Sequence, residues 1–281
     1  MPGCCCSRPA SPARAPPPNP QRLASNAPLS AGERCVCGKS ARVRGGGVRG
    51  SQGAGPARAR SGRARRNLTG LCGSPSTATR ACTSSTRAAS ILIDPGSFSV
   101  RSSSRITGLT GVLITHQHPD HVVPDRLKAV LAANPAVPLY ADPDTVAVLA
   151  EHDIEAEPVR TGDVLDLGTS VEATVSDHAI IYGELPGITN ACYLIGDRLF
   201  HPGDSFTLPG RDIDILALPV SAPWMAVKEA IDYLHEVAPA VAVPIHEKGL
   251  SSTGMVYSLI DRLAPEVTQW VDIDDGEPHD L

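Results

Sequence analysis

Three histidines and an aspartate fall within six residues in "ITHQHPDH", residues 114–121. His116, His118, Asp120 and His121 are nitrogen and oxygen donors of the kind that divalent cations take. The chain has nine histidines in all, so three on one short loop is a concentration that chance rarely gives. On an extended backbone His116 and His118 are two apart and point the same way. Asp120 and His121 follow a turn and can face a different point. One loop could thus serve two adjacent metal ions, with His116 and His118 on one and Asp120 and His121 on the other. The competing reading is a polar loop that is merely rich in histidine.

A metal centre needs donors from elsewhere in the chain. His178, in "VSDHAI", and His246, in "VPIHEKG", each follow an apolar strand-like run. Asp204, in "HPGDS", follows a strand through a Pro-Gly turn, and glycine lets backbone approach closely. His201, on that same strand, reads as a hydrogen-bonding support to the ligands, and Asp94 and Asp177 as acceptors for imidazole N–H groups. Trp224, after "SAP", is read as lining a substrate pocket, with core packing as the alternative. His152 and His235 fall on helices and His279 in the tail, where solvent exposure is expected.

The elements that must hold these residues are legible from residue 90 onward. "ILID" and "GVLIT" read as buried strands. "PDRLKAVLAANP" reads as a helix opened and closed by prolines, "PLYA" as a strand and "DPDTVAVLAEH" as a second helix. "SVEATVSD", "NACYLIGD" and "RLFHPG" are three successive strands, and "DIDILALPV" a fourth. "WMAVKEAIDYLHEVAP" is an amphipathic helix, followed by "AVAVPIH", a helix near 252–263 and "TQWVDID". This mixture predicts an α/β sandwich with helices covering sheets.

The first ninety residues are different. Residues 1–90 carry 15 Lys and Arg against one acid, and residues 91–281 carry 10 against 29. The two parts are near +14 and −19, a contrast that one core rarely spans. Residues 1–89 are rich in Arg, Ala, Pro, Gly and Ser, and too poor in apolar side chains to offset ordering entropy. They are expected to be a disordered basic segment, and 90–281 the folded domain. A transit peptide and a basic nucleic-acid arm are alternatives. The favoured reading is text from a wrong start or frame. A one-nucleotide shift of residues 74–90 permits "LTKYGHACVYV", a plausible strand, where the in-frame text gives none. Seven of the eight cysteines lie at or before Cys82, so the acidic part, with Cys192 alone, needs no oxidising compartment. Cys35 and Cys37 lack zinc-knuckle spacing. No apolar run approaches the roughly 20 residues a membrane span needs, and a cytoplasmic location is expected.

With these residues in view, the chain resembles the metallo-β-lactamase superfamily. "HQHPDH" matches its HxHxDH motif, and His178, Gly203-Asp204 and His246 follow in the family's order. "ILIDPG" is similar to the strand and turn where the family's aspartate, here Asp94, braces the metal loop. The resemblance covers 91–281 and implies a four-layer αββα sandwich. It also implies that one cation takes His116, His118 and His178, that a second takes Asp120, His121 and His246, and that Asp204 bridges them. Two divalent cations are expected, zinc or else manganese or iron. Asp120 would also orient the nucleophile.

The implied activity is metal-dependent hydrolysis of a small ester, lactone or phosphodiester. The pattern looks closest to the ascorbate-phosphate lactonase-like branch, because no GHTxG segment surrounds His178. His118 stands where oxygen-reducing diiron members carry Glu, which argues against redox chemistry. The acidic domain lacks the basic stripe of a nucleic-acid enzyme, so a small-molecule substrate is expected and nucleic acid is not. Two rival readings are a nucleic-acid-processing hydrolase with a basic arm and an inert product. The second follows from the missing first strand, which would leave a sheet edge unpaired.

Overall fold

The strands of this chain alternate their side chains between two different cores, and that alternation builds the architecture. The computed structural model describes residues 69–72, 79–83, 89–99, 106–185, 187–273 and 278–280. In chain order the elements are β1 (Thr69–Cys72), β2 (Thr79–Thr83), β3 (Ala89–Ile93), β4 (Gly111–Ile114), α1 (Pro124–Ala133), β5 (Leu139–Ala141), α2 (Pro143–Ala150) and β6 (Glu157–Pro158). Then follow β7 (Val164–Asp166), β8 (Ser170–Asp177), β9 (Thr189–Ile195), β10 (Leu199–His201), β11 (Ile215–Pro219), α3 (Val227–Val237), β12 (Val241–Ile245), α4 (Gly254–Leu263), β13 (Gln269–Trp270) and β14 (Pro278–Asp280).

They form two seven-stranded sheets, ordered β14-β1-β2-β3-β4-β5-β6 and β13-β12-β11-β10-β9-β8-β7. In the first, β3 to β6 run parallel and β2 pairs antiparallel with β3. In the second, β10 to β13 are parallel and β7 to β10 antiparallel.

Successive side chains on a strand face opposite ways. Ile91 and Ile93 of β3 therefore enter one core with Tyr193, Ile195, Ile215 and Val243 of the second sheet. Leu92 between them enters another core with Leu127 of α1 and Leu149 of α2. The second sheet repeats the device, since Leu216 and Leu218 of β11 pack with Leu234 of α3 and Ile260 of α4. Apolar burial of this kind contributes about 25 cal/mol per Å². The result is the expected four-layer αββα order: α1 and α2, first sheet, second sheet, α3 and α4. Asp142 caps α2 by accepting from the backbone N–H groups of Asp144 and Thr145.

Two expectations change. The chain before residue 90 does supply strands, since β2 pairs with β3 over five residues from Thr79↔Ile93 to Thr83↔Ala89. The edge of β3 is therefore not open, and the reading of an inert product loses its premise. Alternating Thr, Ala and Thr in "TRACT" suits an extended backbone, and pairing to β3 supplies what local composition did not. Residues 1–68, 73–78 and 84–88 lie outside the described residues, and the readings of disorder and of a shifted frame over 1–89 fall mostly there. The short strands β6 and β7 were also not anticipated. Both are edge strands with exposed positions, and neither carries an apolar pattern. No helix among the described residues is long and apolar enough to cross a membrane.

Candidate metal centre

The chemistry-bearing residues gather where strands of both sheets end. His116, His118, Asp120 and His121 follow β4, His178 follows β8, Asp204 follows β10 through Pro202 and Gly203, and His246 follows β12. The sheets are joined at this edge. The Ala191 N–H donates to the Thr115 carbonyl at 2.7 Å, and the Tyr193 hydroxyl donates to the Ile114 carbonyl at 2.9 Å. These bonds bring loops from separate sheets to one place.

Three sets of donors converge here, each with its ligand atoms within 4.8 Å of one another. They are His116, His118 and His178; His116, His121 and Asp204; and Asp120, His121 and His246. The seven residues singled out in the sequence are thus all brought together. Asp204 lies between the groups: its Oδ1 is 3.2 Å from His121 Nε2, and its Oδ2 is 3.5 Å from His178 Nε2 and 3.2 Å from His246 Nε2. Asp120 Oδ2 is 3.1 Å from His246 Nε2 and 3.6 Å from His121 Nε2. Nε2 of His116 faces Nδ1 of His118 at 3.0 Å.

The ring nitrogens are sorted by their partners. His121 Nδ1 lies 2.8 Å from Asp94 Oδ2, His178 Nδ1 contacts the Ala179 carbonyl, and His246 Nδ1 contacts the Ser221 carbonyl. A carboxylate or carbonyl can only accept, so each Nδ1 carries the proton and each Nε2 presents a lone pair inward. Those Nε2 atoms of His121, His178 and His246, with Oδ1 of Asp204, are buried and make no hydrogen bond. An unsatisfied buried polar atom costs about 1–3 kcal/mol, and several converging on one point fit a divalent cation. The donor set is therefore suited to metal.

The carboxylates draw positive charge to the site, which a divalent cation would supply. Burial and the neighbouring His121 push His116 well below the usual imidazole range. Burial opposes charge on His121, but the carboxylates of Asp204 and Asp94 outweigh it and hold that imidazole well above the usual range. Burial likewise opposes charge on His246, but the carboxylates of Asp120 and Asp204, 3.1 and 3.2 Å from its Nε2, push it up to about 10. Burial would raise Asp204, but His121 and the other imidazoles keep its carboxyl well below the usual carboxylate range.

The supporting residues divide less evenly. Asp94, at φ 50°, accepts from the Thr115 N–H and hydroxyl, each at 2.7 Å, as well as from His121, so it braces the loop as expected. His201 is buried, and its Nδ1 accepts from the Gly203 N–H at 3.2 Å, which steadies the turn carrying Asp204. Asp177, expected as an acceptor for a ligand imidazole, is exposed, and the neighbouring His178 Nδ1 contacts the Ala179 carbonyl instead. Trp224 is half-buried and donates its indole N–H to Asp204 Oδ2 at 2.8 Å, with its ring edge-on to His178. His152 and His235 are exposed, as expected.

Sequence reasoning missed Asn190, Thr115 and Gly96. Buried Asn190 accepts from the Asp204 N–H at 3.0 Å and donates to the Pro202 carbonyl at 2.9 Å. Gly96 lies so close to the metal loop that a Cβ there would stand 2.0 Å from the Asp120 carbonyl oxygen. Its own place is held by Arg126 of α1, which donates to the carbonyls of Gly96, Ser97 and Ser99. Thr115 and Gly96 lie within the quoted stretches "ITHQHPDH" and "ILIDPG", but nothing local marked Asn190.

Comparison with known proteins places the family and the fold. A family model described as Beta-lactamase superfamily domain matches residues 81–246. Protein Rv0786c of Mycobacterium tuberculosis is 50% identical over 163 residues, which cover 56% of this chain and 75% of that protein. A UPF0173 metal-dependent hydrolase of Carboxydothermus hydrogenoformans is 25% identical over 150 residues, 48% of this chain and 65% of its own. Among solved structures, Igni18, a metallo hydrolase of the archaeon Ignicoccus hospitalis, superposes with a TM-score of 0.55 at 16% identity, covering 76% of this chain and 98% of that one.

Proposed function

Since the chain belongs to the β-lactamase superfamily, we propose that it is a metal-dependent hydrolase holding two divalent cations and acting on a small ester, lactone or phosphodiester. The observation that carries this reading is the convergence of buried, unbonded Nε2 atoms of His121, His178 and His246 with Asp204 Oδ1. His116, His118 and His178 would hold one cation, Asp120, His121 and His246 the other, and Asp204 would reach both. The donors suit zinc, and manganese and iron accept the same set. When bound, such cations lower the pKa of water from 15.7 to about 7 and so supply a nucleophile at neutral pH. Asp120 is the more solvent-accessible of the two carboxylates, with side-chain exposure of 23% against 4% for Asp204. It can both orient that water and take its proton. Asp94 holds His121 in the tautomer that leaves Nε2 free, and Trp224 fixes the rotation of Asp204. The likeness to the ascorbate-phosphate lactonase branch rests on the sequence pattern alone.

The test is elemental analysis of the purified chain together with a lactone and phosphodiester screen. About two metals per chain are expected, from the two ligand sets proposed above. Replacing Asp120 and His121 together with alanine should abolish hydrolysis and release at least one metal. Unchanged metal content in that variant would overturn the ligand assignment.

A further inference from the structure

The segment that leaves His178 exposes a cluster of large apolar side chains beside the metal centre. It reads "AIIYGELPGI" from Ala179 to Ile188. Ile180 is 79% exposed, Tyr182 76%, Leu185 56% and Ile181 38%. Leaving such groups in water forgoes roughly 1.5–3 kcal/mol of burial each, and clustered exposure marks a contact surface. Both ends of the segment are tied to the site. The His178 N–H donates to the Ile188 carbonyl at 3.0 Å, and the Ala179 N–H donates to the Asp204 carbonyl at 2.8 Å. At His178 itself, where the segment begins, Trp224 lies edge-on to the imidazole and Phe206 edge-on to Trp224, at 6.2 and 5.1 Å between ring centres. On the other side Phe98 lies edge-on to His246 at 6.2 Å. Between Ala179 and Ile188 the only charged side chain is Glu184. Within this segment a phosphate anion would meet one carboxylate and no Lys or Arg, the residues that recognise it.

We propose that this loop, with the Trp224–Phe206 pair, binds the apolar acyl part of a carboxylic ester or lactone. The proposal rests on the hydrolase reading above and narrows its substrate class. In the reaction, the oxygen of a water bonds to the carbonyl carbon and the acyl C–O bond breaks. The departing alkoxide oxygen takes up a proton, and a carboxylic acid and an alcohol result. A pocket of mostly apolar lining with a few placed polar groups is the usual form of a small-molecule site.

The experiment compares p-nitrophenyl octanoate with the acetate, using the metal-loaded full chain and its Ile180→Ser, Tyr182→Ser double variant. The ratio of kcat/KM for octanoate over acetate is expected to exceed about tenfold in the parent and to fall about tenfold in the variant. A ratio equal in both proteins overturns the proposal. Octanoate binding, followed by calorimetry, separates this outcome from failure of the hydrolase reading. If no ester is hydrolysed but the variant binds octanoate about tenfold more weakly, the apolar site stands and the hydrolase reading falls. Equal octanoate affinity in both proteins overturns the site. Sedimentation gives a last check, because a parent dimer that becomes monomeric in the variant would assign the loop to a second copy of the chain and overturn the proposal.

Discussion

At the scale of single residues, Asp94 does the most with one side chain. Its Oδ2 lies 2.7 Å from the Thr115 hydroxyl and 2.8 Å from His121 Nδ1, and its Oδ1 takes the Thr115 N–H. An asparagine has one acceptor oxygen and an NH₂ that clashes electrostatically with at least one of those donors. Asp94→Asn should therefore weaken metal affinity by about 10–100-fold, the usual range for loss of a ligand's outer partner. Competition for Co²⁺ against a chromophoric chelator measures it, and an unchanged affinity would remove Asp94 from the site. Asp177 teaches the converse. It stands next to His178 in the chain and was expected to accept from a ligand imidazole, but an extended backbone places neighbouring side chains on opposite faces. The imidazole turned inward and the carboxylate outward, and a backbone carbonyl served instead.

At the scale of elements, the strand ends carry the function. The three-residue strand β10 delivers Asp204 through a turn in which Gly203 has φ +60°. A Cβ at Gly203 would stand 2.2 Å from Asn190 Oδ1 and 2.9 Å from Thr115 Cβ. The same Asn190 oxygen accepts the Asp204 N–H, so the clash and the positioning bond share an atom. Gly203→Ala should destabilise the chain by about 3 kcal/mol and shift Asp204. Urea unfolding reads the first effect and metal content the second, and a variant with full stability and full metal would refute this account. Most elements were legible because their apolar residues recur with period two or 3.6 and end at proline or glycine. β8, predicted as "SVEATVSD", spans Ser170–Asp177. β2, β6 and β7 were not legible, since short edge or transition strands are fixed by the backbone partners they find and not by their own composition.

At the scale of the whole molecule, a cation in the candidate metal centre would be a clasp between two sheets. Its donors come from β4 in the first sheet and from β8, β10 and β12 in the second. A cation bound only by the folded chain stabilises it by RT ln(1 + [L]/Kd), about 4 kcal/mol at a thousandfold excess over Kd. Removing metal with a chelator should lower Tm by about 10 °C at this chain length, and restoring zinc should recover it. A Tm indifferent to chelation would mean that the sheets are held by the cores alone.

The sequence by itself determined the donor types, their attachment to strand ends and an α/β sandwich with helices covering sheets, because period and spacing are local and survive in one dimension; the four-layer order was implied by the family resemblance. Only the tertiary structure decided which ring nitrogen points inward, that Asn190 and Trp224 hold Asp204, and that β2 closes the edge of β3. Those outcomes depend on hydrogen-bond partners many residues away, and only packing of the two sheets brings such partners within reach.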